Sequence, residues 1–204
     1  MKINKYEDRD VWLSARRGKI TGSRLKDIVV KRGTGQKIGF YELIAERLGI
    51  PADGENAMDR GTRLEEEAIA KFTEETKKKV NTDLVIWERD ENESIAISPD
   101  GYIGKDKITE AVEIKCLASS RHIEAWLTKE VPNEYDWQKL QYFIVNDDLQ
   151  TLYFAFYDPR LTAKPFFYFT IKRKDIQGEV DIYLEYQRKT LEEINRIVCE
   201  LTNF

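Results

Sequence analysis

The order of segments along the chain predicts an α/β or α+β fold. Helices come first, then strands, helices, two more strands and a last helix, which reads as a central mixed β-sheet flanked by helices. Two strongly apolar runs, Thr151 to Tyr157 and Phe166 to Ile171, support this. Both are apolar on either face, the pattern of interior strands. Size agrees: 204 residues, 41% of them hydrophobic, suffice for one domain with a sizeable core. A single domain over 1–204 is expected, with a helical N-terminal part and a long C-terminal helix.

The elements follow in order. Arg9 to Arg16 reads as a short helix containing Trp12. Ser23 to Lys31 is a second helix, with Leu25, Ile28 and Val29 at helical spacing, and Phe40 to Leu48 a third. Between those two lies the basic, glycine-containing loop Lys31 to Lys37, and Gly49 to Asp59 reads as loop. Gly61 to Lys78 is a helix because Leu64, Ala68 and Phe72 recur every four residues and Ile69 widens the stripe. Strands follow at Asp83 to Glu88, Ser94 to Ser98, Tyr102 to Gly104 and Ala111 to Cys116. Helices near Ser120 to Thr128 and Glu134 to Asn146 precede the two apolar strands, which Asp158-Pro159-Arg160 separates. The last helix runs from Lys174 to Leu201, with a buried stripe that includes Ile176, Val180, Leu191, Ile194 and Val198.

One constellation carries chemistry. Ser98-Pro99-Asp100-Gly101 is a turn signal at the end of a strand, and Glu113-Ile114-Lys115 lies inside the apolar run Ala111 to Cys116. Side chains alternate along a strand, so Glu113 and Lys115 share one face while Val112 and Ile114 take the other. Charges inside an otherwise apolar strand are costly unless something pairs them. Two carboxylates with an ammonium form a site for a hard divalent cation and a water, as in metal-dependent phosphodiesterases. Lys115 is placed to orient that water, to deprotonate it, or to stabilise developing charge.

Composition narrows the remaining classes. No apolar run approaches the length of about 20 residues that a membrane helix needs, and Met1 to Lys5 lacks a signal-peptide core, so a cytoplasmic location is expected. Cys116 and Cys199 lie far apart without CxxC partners, which suggests neither zinc nor a disulfide framework; both are expected to be buried thiols, with Cys116 beside the proposed site. The single histidine, His122, cannot build a histidine metal cluster and reads as a surface residue. A net charge of −4 argues against a simple basic nucleic-acid coat, yet it leaves room for a local basic groove. No Walker-type phosphate loop is present.

Several separated segments resemble one family. They are Trp12 to Ser23, Arg60-Gly61-Thr62-Arg63-Leu64-Glu65, Ser98-Pro99-Asp100-Gly101, Glu113-Ile114-Lys115-Cys116, Gln141-Tyr142 and Tyr153 to Arg160. In this order they resemble the lambda exonuclease family, the YqaJ-like phage recombination alkaline exonucleases of the PD-(D/E)xK superfamily. The resemblance runs from Trp12 to about Ile171. It implies a restriction-endonuclease-like core and a Mg²⁺-dependent nuclease, with Mn²⁺ able to substitute. Such an enzyme digests one strand of linear duplex DNA from the 5′ end and leaves a 3′ tail. The resemblance further implies a ring-shaped homotrimer, a single-strand annealing recombinase as partner, no membrane, and a phage or prophage protein in bacterial cytoplasm.

The same resemblance assigns residues. Asp100 and Glu113 match the metal-binding carboxylates, Ile114 lends its backbone carbonyl, Lys115 matches the catalytic lysine, and Glu65 matches a further carboxylate on a helix. Glu66 and Glu67 read as a solvated acidic face. Arg16 and Ser23 match residues that grip the DNA 5′ phosphate. Ser23 or Thr21 could cap the following helix, whose free N–H groups suit phosphate. At the family's second phosphate-gripping arginine this chain has Gly33, with Arg32 beside it. Trp12 is open to a place near the DNA path or to a core role. Gln141 matches a family glutamine, while Gln138 and Tyr142 form the Gln-x-x-x-Tyr pattern of RecB-like nucleases, and either glutamine could bond the lysine or a phosphate. The competing readings are a RecB-like or restriction-type nuclease of other polarity and a catalytically silent DNA-end-binding protein.

Overall fold

A computed structural model describes residues 1–29, 40, 43, 59–105, 107–117, 119–159 and 161–202. Arg32, the basic loop from Lys31 to Lys37, most of the third helix and most of the loop after it lie outside the described residues.

Two sheets organise the chain. The first is antiparallel, in the order β1 (Lys2–Lys5), β2 (Val85–Arg89), β3 (Asn92–Ile97). The second holds β4 (Gly101–Ile103), β5 (Glu110–Lys115), β6 (Thr151–Tyr157) and β7 (Phe166–Lys172) in that order. It is mixed as expected: β4–β5 and β6–β7 are antiparallel, and β5–β6 is parallel with Glu113 opposite Phe154. The strands expected to share one sheet are thus divided, and the segment Ser98-Pro99-Asp100 carries the chain from one sheet to the other. Gly101 is needed there, because a Cβ would stand 2.5 Å from Val80 Cγ1.

Helices cover both faces. α1 (Arg9–Ala15) starts at Asp8, whose carboxylate accepts the N–H groups of Asp10 and Val11. α2 (Gly22–Ile28) begins after Thr21, and the Thr21 side chain makes no capping bond. α3 (Asp59–Thr76) packs Ala68 and Phe72 on Val112, Ile114, Tyr153 and Ala155. On the opposite face, a larger core joins Phe154 and Phe156 of β6 to Tyr142 and Phe143 of α5 (Asp136–Val145) and to Leu191 and Ile194 of α6 (Arg173–Thr202). α4 (Ser119–Thr128) and a 3-10 turn (Asn133–Tyr135) lie between β5 and α5, within the connection that the parallel pair requires.

Three expectations change. β6 is interior and buried throughout, but β7 is an edge strand that turns half-exposed after Phe167; its apolar residues are instead covered by helices, as where the rings of His122 and Trp126 of α4 meet Phe167 edge-on and tilted. His122 is fully buried rather than on the surface, with Nε2 3.0 Å from the Lys164 carbonyl. Cys199 is exposed and Cys116 half-buried, so neither is a fully buried thiol.

α5 is held in place at its C-terminal end. The last carbonyls of a helix lack internal partners. Here the Arg173 guanidinium donates to the Phe143 and Asn146 carbonyls at 2.7 and 2.6 Å, and Arg89 donates to the Ile144 carbonyl at 2.5 Å. Arg89 is itself paired with Asp147. This fixes the helix that faces Glu113.

Candidate active site

A cleft of about 440 Å³ opens where α1, α2, α3, the end of β3 and the end of β5 meet. Strand alternation turns Glu113 and Lys115 toward it, as expected, and sends Val112 into the core under α3. Antiparallel pairing of Gly101 with Val112 brings Asp100 alongside, where its Oδ2 accepts the Ile114 N–H at 2.7 Å. Glu65 reaches the same cleft from the border of the α3 stripe. Glu66 and Glu67 are exposed, although Glu67 accepts a bond from the Tyr157 hydroxyl at 2.8 Å.

The carboxylates tax one another. Burial first, then the neighbouring charges of Glu113 and Glu65, hold the Asp100 carboxyl well above its usual range. Burial and then Glu113 raise Glu65 in the same way. Burial alone would lower the Lys115 ammonium, but Glu113 and Asp100 outweigh it and hold it above its ordinary value. Its Nζ lies 2.5 Å from Glu113 Oε1 and 4.9 Å from the centre of the Tyr135 ring. The Cys116 thiol, also in the cleft, is pushed up to about 12 by burial and then by Glu65, so it is no nucleophile at neutral pH.

Cations form the opposite wall. α1 presents Arg9, Trp12 and Arg16, and α2 presents Ser23 and Lys26. Trp12 serves as a shelf: half-buried, its Nε1 donates to the Val85 carbonyl at 3.3 Å, and the Arg16 guanidinium lies 4.6 Å above its ring. Burial lowers Arg16, and the charges of Asp100 and Glu113 act against that shift. Thr21 is buried, with its Oγ1 3.4 Å from Ser23 Oγ, so Ser23 alone of that pair borders the cleft.

Gln141 is not at this site. It is fully buried, its amide donates to the Ile20 and Ala96 carbonyls at 2.8 and 3.1 Å, and its carbonyl accepts from Gln187. It staples α5 to the first sheet and to α6. One turn earlier on the helix, Gln138 borders the cleft and donates to Glu113 Oε1. Tyr142 donates to Glu113 Oε2 at 2.5 Å; burial, with Glu113 and Asp100 beside it, raises its phenol well above its ordinary value and keeps it a donor. The Gln-x-x-x-Tyr spacing was the available signal for both contacts. Ser98 also lines the cleft with a buried Oγ that has no hydrogen-bond partner among the described residues; the sequence marked it only as part of the Ser98-Pro99-Asp100-Gly101 turn, with no role of its own.

The donor set suits a hard divalent cation. Carboxylate oxygens line the cleft, and burial, then the neighbouring carboxylates, hold two of the carboxyls above their usual range, a cost that a bound cation would offset. Among the described residues, however, no three His, Cys, Asp or Glu side chains already stand at ligand spacing. Nor is any helix among them long and apolar enough to cross a membrane.

Known proteins resemble this chain in sequence and fold. The family model of the YqaJ-like viral recombinase domain matches residues 11–148, more than half of the chain. No curated protein matches. The crystal structure of an alkaline exonuclease, LHK-Exo, from Laribacter hongkongensis is 29% identical, with a TM-score of 0.80 over 94% of this chain and 95% of that one. The same enzyme in complex with dAMP gives 29% and 0.79 over the same shares. A phage related exonuclease from Haemophilus somnus 129PT, 16% identical, shares the fold at a TM-score of 0.60 over 90% of this chain and 96% of that one.

Proposed function

The chain belongs to the YqaJ-like viral recombinase domain family, and from that premise we propose that it is a Mg²⁺-dependent 5′→3′ exonuclease acting on linear duplex DNA. The observation that carries the reading is the meeting of Asp100, Glu113, Glu65 and Lys115 with the Arg16 guanidinium and the Ser23 hydroxyl in one cleft. The likeness to an alkaline exonuclease, seen also with dAMP, supports a DNA substrate.

Asp100, Glu113, Glu65 and the Ile114 carbonyl would hold the ion, and Mn²⁺ could take its place. When bound, it neutralises charge on the scissile phosphate and acidifies a water. Lys115, kept as an ammonium, orients that water and stabilises the charge that develops rather than removing its proton. Arg16 and Ser23 hold the 5′ phosphate, with the Trp12 shelf aiming the guanidinium. By the family resemblance, the working form is a homotrimeric ring in the host cytoplasm that hands its 3′ tail to a single-strand annealing partner.

Digestion of linear duplex with Mg²⁺ tests this, comparing 5′-phosphorylated with 5′-hydroxyl ends and including a closed circle. Rapid loss of the 5′-phosphorylated strand with the circle intact is expected. The contacts of Gln138 and Tyr142 with Glu113 favour a second reading, a RecB-like nuclease of other polarity or with endonucleolytic action. Cutting of the circle would establish that one instead. No cleavage with either metal would leave an end-binding protein.

A further inference from the structure

The Lys115 ammonium sits at the end of a flexible four-carbon stem, so something must hold it in the cleft. Glu113 Oε1 accepts it at 2.5 Å, but Glu113 has other claims on its charge. Gln138 donates to the same oxygen and Tyr142 to the other. On the reading above Glu113 is also a carboxylate for the metal, and a cation there competes with the ammonium. Two aromatic rings face the same nitrogen: their centres lie 4.9 Å away for Tyr135 and 5.8 Å for Phe154. We propose that Tyr135 is a positioning residue whose ring face holds the Lys115 ammonium in the active-site cleft. The inference rests on the catalytic role given to Lys115 above and adds the group that keeps the lysine in place.

The physical reason is the ring quadrupole. The negative face of an aromatic ring attracts an ammonium within about 6 Å of its centre, more strongly where water is excluded. The Lys115 side chain is 17% exposed, so little water competes. A ring face also offers no oxygen to a hard metal ion, so it keeps its hold when Glu113 is drawn upon. Tyr135 is well placed for this. It closes the 3-10 turn, its N–H donating to the Pro132 carbonyl at 2.9 Å, and α5 begins at the next residue. Its ring is tilted on Phe154 at 5.7 Å and borders the cleft. Phe154 is fully buried in the core, opposite Glu113 in the sheet, whereas Tyr135 is half-buried and can be changed with less disturbance.

Variants at position 135, with kinetics on linear duplex DNA and lysine NMR, test the inference. Tyr135→Phe keeps the ring face, and its kcat should stay within about twofold of wild type. Tyr135→Leu loses the face; kcat should fall about tenfold, that is about 1.4 kcal/mol, with KM for DNA ends unchanged. Phenylalanines carrying one, two and five ring fluorines at position 135 separate charge from packing. Fluorine draws electron density from the face at nearly constant shape, so log kcat should fall stepwise while the melting temperature holds. Without metal, the ring current should place the Lys115 side-chain proton resonances upfield in wild type and Tyr135→Phe, and Tyr135→Leu should return them downfield. A flat fluorine series, a Tyr135→Phe variant as slow as Tyr135→Leu, or Lys115 resonances that ignore the substitution each overturn the proposal and leave the nuclease reading standing. Undiminished cleavage by Lys115→Ala overturns the role of the lysine and this proposal with it. Should Tyr135→Leu not fold, the fluorine series carries the same test in a ring of nearly native shape.

Discussion

Lys115 keeps its proton because Glu113 and Asp100 outweigh the cost of its burial. On the proposed reading its contribution is positive charge at the reacting phosphate. Lys115→Ala should lower cleavage by about 10³-fold, the scale of losing one preorganised charge donor, while duplex binding persists. Nuclease and binding assays on the same variant check this, and substantial residual cleavage would remove the lysine from the mechanism. Asp100 gives a pH prediction. Its folded-state carboxyl is raised, so its favourable contribution is complete below the unfolded value of about 4 and is lost as pH rises through the folded value. Without metal, Asp100→Asn should therefore raise the melting temperature at pH 8 by more than at pH 5, and Mg²⁺ should stabilise wild type but not the variant. Thermal melts in chelator and in Mg²⁺ decide it. Strand alternation made Glu113 and Lys115 legible, since an acid and a base two residues apart in an apolar run share a face. Gln141 misled because helix position alone does not say which polar residue faces the cleft and which faces a neighbouring carbonyl.

α5 carries Gln138 and Tyr142, and its place depends on two arginines that cap its last carbonyls. Arg173→Ala leaves the Phe143, Asn146 and Leu149 carbonyls without that donor. The expected cost is about 3 kcal/mol, from unsatisfied buried acceptors. For a domain of this size that is a fall in melting temperature of roughly 6–12 °C, to be read by calorimetry. A melting temperature within a degree of wild type would show that water replaces the guanidinium at no cost. The long periodic helices and β6 were legible because their apolar stripes run for many residues. β1 was not: Lys2–Lys5 is a short, largely exposed edge strand whose residues carry no alternation, and only its antiparallel pairing with β2, from Lys2 opposite Glu88 to Lys5 opposite Val85, makes it a strand. β7 read as interior because its apolar residues are covered by helices that the local sequence does not reveal.

Charge across the molecule is divided rather than uniform. The net charge is −4, yet Arg9, Arg16 and Lys26 share one wall of the cleft opposite the carboxylates. Duplex binding should therefore weaken as salt rises, and Arg16→Ala should reduce the slope of log affinity against log salt by about 1. The same variant should lose preference for 5′-phosphorylated over 5′-hydroxyl ends. Binding titrations across a salt series check the first, and a slope identical to wild type would place Arg16 away from phosphate. The sequence alone determined the fold class and the shared face of Glu113 and Lys115, because periodicity and a short acid–base spacing are local properties, and its ordered motifs carried the family resemblance. Tertiary structure decided the division into two sheets, the burial of His122 and which of Gln138 and Gln141 reaches Glu113. These depend on where separate elements dock, and docking is set by the packing of apolar faces far apart in the chain, which no local pattern encodes.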